Sequence, residues 1–296
     1  MGKRLTLSGI MPAMITPFTS DGRVDTAAIA RGIERVAKAG VSGVVYNGST
    51  GEAVALTRDE RKAVLSAARE AAGERLKLIA GTGAPTTGEA LLYTRDAKEC
   101  GADAALIITP FDAIPNKEGL YRHYATLCEA GLPIILYNIP QHTGVTLGLE
   151  TVERLADVEN VVGIKDSSGD LSFFSELVRR FGDRLSILTG CDDLLFQAFM
   201  SGASGAILAL AGIAPKEVVA LFEACRAGRA DEAKTLYYKI LPIARAISAS
   251  INFPAQVKEA MRLLGEPAGD PRLPIIPVSE EESRAIRSAL SDAGLL

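Results

Sequence analysis

Eight short apolar runs recur along this chain, and each is followed by a longer stretch with helical periodicity. The runs are Ile10–Ile15, Val41–Tyr46, Leu78–Ala80, Ala104–Ile108, Ile134–Tyr137, Val161–Ile164, Leu185–Leu188 and Ala206–Leu210. Most are continuous rather than alternating, the pattern of strands buried on both faces. Eight strand–helix units in roughly 225 residues match the number and size of a (β/α)8 TIM barrel, an α/β fold. A doubly wound open sheet would need a Gly-rich phosphate turn after the first strand, and Met14-Ile15-Thr16-Pro17-Phe18 is not one. Gly40, Gly101, Gly131 and Gly202 stand where the preceding helices should end, each supplying a left-handed cap. Thr57-Arg58-Asp59-Glu60 and Thr86-Thr87-Gly88-Glu89 read as capping boxes at helix starts.

From about Ala230 no β-branched run follows until a Pro-rich tail. Asp231–Ser250 reads as a helix, with Leu236, Ile240, Ile243 and Ile247 at helical spacing. Phe253–Leu264 and Ser279–Leu290 read as two more, joined by the Pro-rich connector Pro267–Pro277. Residues 1–228 are therefore expected to form the barrel, and 229–296 a helical extension packed on it rather than an independent domain.

Composition narrows the function classes. Of the 296 residues, 48% are hydrophobic and 23% charged, which excludes wholesale disorder. A formal net charge of −4 and the lack of any Lys/Arg run argue against a nucleic-acid surface. No apolar stretch approaches the ~20 residues of a membrane helix. Cys100, Cys128, Cys191 and Cys225 form no C-x-x-C pair, and His123 and His142 lack metal-ligand spacing, so no metal site is expected. The start does not read as a signal peptide; Met1-Gly2-Lys3-Arg4-Leu5-Thr6 formally fits a myristoylation pattern that matches often by chance. The expectation is a reduced, soluble, cytoplasmic protein.

Reactive groups of a barrel sit at the C-terminal ends of its strands. Lys165 is the anomaly there, because it terminates the apolar strand Val161–Ile164 and should point into the barrel mouth. Loss of hydration disfavours an ammonium, and a neutral amine is the nucleophile that makes an imine with a ketone or aldehyde. The competing reading has Lys165 snorkel outward or pair with Asp166. Tyr137 ends the neighbouring strand, where a phenol could pass protons or simply line the rim. Ser49-Thr50-Gly51 is a hydroxyl-rich turn suited to a carboxylate, although Ser49-Thr50-Gly51-Glu52 also fits a capping box. Gly81-x-Gly83 marks no more than a tight turn.

Three segments, Gly48-Ser49-Thr50-Gly51-Glu52, Leu136-Tyr137-Asn138-Ile139-Pro140 and Gly163-Ile164-Lys165-Asp166, resemble in order and spacing the signature segments of the dihydrodipicolinate synthase / N-acetylneuraminate lyase family. The resemblance spans nearly the whole chain, including Asn252-Phe253-Pro254 and Leu273-Pro274. It implies a (β/α)8 barrel with a C-terminal helical region, a homotetramer, and a class I lyase with no metal or organic cofactor. Lys165 would form the Schiff base with pyruvate or another 2-oxo acid, and Tyr137 would relay protons. Ser49 and Thr50 would hold the carboxylate, with Thr50 also in the relay. Backbone at Gly190 and Ile207 would line the pocket. The protonated imine is then the electron sink for aldol cleavage, aldol addition or dehydration.

Two departures bear on the substrate. Synthases of the family carry an arginine after the tyrosine segment, where this chain has His142. They also carry a tyrosine, delivered across a subunit interface, just after the strand-four Thr-Pro, where this chain has Asp112. Losing a fixed cation and gaining a carboxylate disfavours an anionic partner such as aspartate semialdehyde. A hydroxylated partner, like the distal end of a keto-deoxy sugar acid, suits Asp112 and His142 better. Condensation of pyruvate with aspartate semialdehyde, sialic acid cleavage, and a non-catalytic 2-oxo acid sensor are the alternatives.

Overall fold

The structure, a computed structural model, describes residues 4–250 and 252–296. The Met1-Gly2-Lys3 start of the myristoylation pattern lies outside the described residues.

All eight apolar runs are strands: β1 Gly9–Pro12, β2 Gly43–Tyr46, β3 Lys77–Gly81, β4 Ala104–Ile108, β5 Ile134–Asn138, β6 Val161–Asp166, β7 Ser186–Thr189 and β8 Gly205–Leu208. They pair in parallel in the order β1-β8-β7-β6-β5-β4-β3-β2. The ring closes between β1 and β2, where the Met14 N–H donates to the Val45 carbonyl and the Ser42 N–H to the Ile10 carbonyl, each at 2.9 Å. This is the (β/α)8 TIM barrel expected from the run count, with C-terminal helices added.

Continuous apolar runs arise because each strand feeds two cores. Met11, Val45, Ile79, Leu106, Ile135, Val162, Leu188 and Ile207, one from each strand, fill the barrel interior. Their neighbours Ile10, Val44, Leu78, Ile107, Leu136, Ile164, Ile187 and Leu208 pack outward against the helices. Full burial of one such side chain contributes roughly 1.5–3 kcal/mol, so neither face tolerates a polar residue without a partner.

The predicted glycine caps at positions 40, 101, 131 and 202 all have positive φ. Thr57 and Glu60 make the reciprocal capping box at the start of helix Arg58–Ala72. The second box is only half formed. Thr86 accepts the Glu89 N–H, but the Glu89 carboxylate accepts the Tyr93 hydroxyl at 2.7 Å instead of reaching back.

The tail forms helices Ala230–Ile247, Phe253–Leu263 and Glu280–Asp292. The first ends before the predicted Ser250, leaving Ser248–Ser250 as loop against the barrel mouth. Tyr237, Ile240, Ile243, Val257, Met261, Ile286 and Leu290 join the same buried layer as the barrel's outer face. The four cysteines are free. Among the described residues, no helix is long and apolar enough to cross a membrane.

Candidate active site

Strict alternation would not bring Lys165 inward. Val162 belongs to the barrel interior, so a regular strand would turn Lys165, three residues on, toward the helices. The register shows why it does not. Ile134 pairs with Val161, but Ile135 pairs with Gly163, so Val162 is one extra residue against β5. This bulge resets the phase. Ile164 faces the helices, and Lys165 faces the cavity beside its register partner Tyr137.

Lys165 is 6% exposed, and its Nζ lies 4.0 Å from the centroid of the Tyr137 ring. Asp166 points elsewhere: its carboxylate accepts the Asn138 amide at 2.7 Å and the Ser168 hydroxyl at 2.9 Å. Lys165 therefore neither snorkels out nor pairs with Asp166. Burial raises the Asp166 pKa, opposed by those two donors.

A cavity of about 400 Å³ opens over Lys165, lined by Thr50, Tyr137, His142, Gly190, Ile207, Asp192 and Asp193 among others. A second, of about 240 Å³, shares Tyr137, His142 and Phe253 as its wall and continues past Ser49 toward Arg61. Gly190 makes the room for the amine, since a Cβ there would overlap Lys165 Cε and the Ser167 hydroxyl. Gly81 has a comparable role, because a Cβ would collide with the Asn47 carbonyl under the second cavity.

The Ser49-Thr50 turn is not a helix start. The N–H groups of Gly51, Glu52 and Ala53 return to the Gly48 and Ser49 carbonyls, whereas those of Ser49 and Thr50 have no acceptor among the described residues. The Thr16 hydroxyl pins the turn by donating to the Gly51 carbonyl at 2.7 Å. The Glu52 side chain makes no capping hydrogen bond to a helix. The residue sits in left-handed backbone, φ +53°, with its side chain buried against Lys258. The capping-box reading of Ser49–Glu52 is thus corrected.

Asp112 is exposed, at φ +68°, and lines neither cavity of its own chain, the placement of a side chain offered across a subunit interface; Phe111 takes the inward place. Two acidic residues from the loop after β7, Asp192 and Asp193, nevertheless line the Lys165 cavity. The sequence reading passed over both, though their position just beyond a strand end was the available signal. The Asp192 carboxylate accepts the Leu210 N–H at 2.8 Å, and burial pushes its pKa up to about 6. His142 sits on the rim of both cavities with its ring 6.0 Å from that of Phe253. Burial, then the charge of Lys165, lowers its pKa, so the imidazole is neutral at pH 7. His123 lies outside the site, buried with its Nδ1 2.9 Å from the Thr87 hydroxyl. Among the described residues no three His, Cys, Asp or Glu side chains cluster as metal ligands.

Comparison with known proteins gives a consistent picture. Residues 6–293 match the profile of the dihydrodipicolinate synthetase family. A 4-hydroxy-tetrahydrodipicolinate synthase from Methanothrix thermoacetophila is 39% identical over 285 residues, 96% of this chain and 96% of that one. Another, from Methanoculleus marisnigri, is 39% identical over 97% of this chain and 99% of its own. Among solved structures, a chloride-inhibited dihydrodipicolinate synthase from Acinetobacter baumannii, complexed with pyruvate, aligns with a TM-score of 0.95 at 38% identity, covering 98% of this chain and 100% of that one. The Aquifex aeolicus dihydrodipicolinate synthase aligns with a TM-score of 0.93 at 35% identity, covering 98% and 99%.

Proposed function

The chain belongs to the dihydrodipicolinate synthetase family and is a Schiff-base lyase of the aldolase kind; we propose that it acts through Lys165 on pyruvate or a related 2-oxo acid whose partner half is hydroxylated and uncharged. One observation carries this reading. The cavity holding the Lys165 amine is also lined by Asp192 and Asp193, and among the described residues its lining includes no second cation. An anionic partner would meet two carboxylates there, whereas hydroxyl groups would meet acceptors.

The chemistry follows from the placement of groups. The Lys165 amine adds to the C2 carbonyl, and the carbinolamine loses water as Tyr137 supplies a proton to the departing oxygen. The Ser49-Thr50 turn holds the substrate carboxylate and so fixes the reacting carbon. Breaking the C3–C4 bond sends its electron pair into the iminium to give an enamine, and the proton of the C4 hydroxyl leaves as the aldehyde forms. Thr50, beside the cavity, joins Tyr137 in returning protons. The imine itself is the electron sink, so the reading calls for no metal or organic cofactor. Its partner is a small molecule and its assembly a homotetramer, which sedimentation would check.

The second reading is condensation of pyruvate with aspartate semialdehyde. It is favoured by the name of the relatives at 39% identity and by Arg61, a cation lining the adjoining cavity.

Incubation with pyruvate and borohydride, followed by peptide mapping, should label Lys165; an unlabelled Lys165 refutes both readings. Turnover then decides between them. Pyruvate release from keto-deoxy sugar acids supports the first. Coupled activity with aspartate semialdehyde alone replaces it with the second, and labelling without turnover of either substrate class leaves a 2-oxo acid sensor. Release of pyruvate from sialic acid alone would assign the lyase branch.

A further inference from the structure

Glu52 is unusual on two counts. It occupies left-handed backbone, which costs a non-glycine residue of order 1 kcal/mol or more, and it is a buried charge. Both carboxylate oxygens are engaged by the C-terminal region. One lies 2.6 Å from Lys258 Nζ, with the two side chains 0% and 3% exposed. The other accepts the backbone N–H of Arg272 at 2.8 Å. Lys258 also donates to the Asp270 carbonyl at 3.2 Å. The Arg272 guanidinium donates to the Ala55 carbonyl and to Glu60, each at 2.9 Å. The ring centroid of Phe18, from the loop after β1, is 4.1 Å from Lys258 Nζ and 4.3 Å from the Arg272 guanidinium carbon.

A buried ion pair is weak support for stability, because desolvation offsets much of its attraction. This one has a definite geometric effect instead. It ties the residue that directly follows Ser49-Thr50-Gly51 to a segment more than 200 positions away in the chain.

We propose that Glu52 and Lys258 are positioning residues, and that the C-terminal segment bearing Lys258 and Arg272 is the clasp that fixes the Ser49-Thr50 turn for a substrate carboxylate. This rests on the reading of Ser49 and Thr50 as carboxylate holders.

The double variant Glu52→Gln/Lys258→Met removes both charges together, so neither is left buried alone. Glu52→Gln by itself is the milder version if the double variant does not fold. Two measurements on the full chain test the proposal. Amide hydrogen exchange across residues 47–55 should speed up while the β5 and β6 amides stay protected. In borohydride trapping, half-saturation by pyruvate should rise about ten-fold or more, the scale expected for a misplaced binding group, with the saturating rate nearly unchanged. Acetone, which lacks the carboxylate, should keep its half-saturation. Unchanged exchange in the turn overturns the proposal, and so does an equal shift for pyruvate and acetone. If the parent protein traps no pyruvate, the carboxylate reading fails, while the exchange measurement still decides whether the clasp holds the turn.

Discussion

Val162 is the extra residue in β6 that turns Lys165 into the barrel. Because Val162 already faces the interior, only a break in alternation lets Lys165, three residues later, face it too. The amine's placement therefore depends on one unpaired residue near the start of the strand, upstream of the site it serves.

Gly190 supplies the second condition on that amine. A methyl group there would overlap Lys165 Cε, so Gly190→Ala should displace the side chain without disturbing the strand. Turnover should fall about 100-fold, the scale of a misplaced catalytic group. Borohydride labelling at Lys165 should slow in parallel, and labelling at the parent rate would show that the cavity accommodates the methyl group.

Tyr137→Phe keeps the ring 4.0 Å from the Lys165 amine and removes only the hydroxyl. If that hydroxyl passes protons, kcat should drop by about 10²–10⁴, with a much smaller change in KM. A KM-dominated effect would assign the phenol to binding.

The pKa of Asp192, pushed up to about 6 from a usual 3.8, makes a signed prediction. Between those values the folded protein holds a proton that the unfolded chain has released. The favourable contribution is therefore complete below pH 3.8 and lost as pH rises through 6, leaving a cost of roughly 3 kcal/mol at most above that. Asp192→Asn, whose side-chain oxygen can still accept the Leu210 N–H, should gain stability over the parent at pH 8 but not at pH 4. Denaturant midpoints at the two pH values measure it, and an equal difference at both would place the carboxyl in water.

His123 has the opposite dependence. Burial lowers its pKa to about 4 from 6.5, so the unfolded chain binds the proton first as pH falls. The contribution of His123 should be intact above pH 6.5 and decline by about 3 kcal/mol between pH 6.5 and 4, opposing that of Asp192 over much of the range, with no further loss from this group below. His123→Gln should gain stability relative to the parent by about that amount as pH falls from 6.5 to 4. A difference between parent and variant that stays constant over that range would show that His123 does not titrate there.

The sequence by itself determined the barrel, the number of its strands and the identity of the residues at their C-terminal ends. These depend on local signals: apolar runs sized for burial on two faces, glycine caps, and Thr57 with Glu60 at a helix start. It also singled out Lys165 and Tyr137, because a lone amine ending an apolar strand is visible without coordinates. What it could not determine was which way side chains turn and what distant segments bring with them. The Val162 bulge is a property of pairing with β5, so no pattern within β6 announces it. Asp112 stands just beyond a strand end, yet within its own chain it is exposed, and Asp192 and Asp193 are the acidic residues that line the Lys165 cavity. Glu52 fitted a capping box until Lys258 and Arg272, far along the chain, claimed its oxygens. Such contacts depend on chain closure and packing, and short-range periodicity carries no record of them.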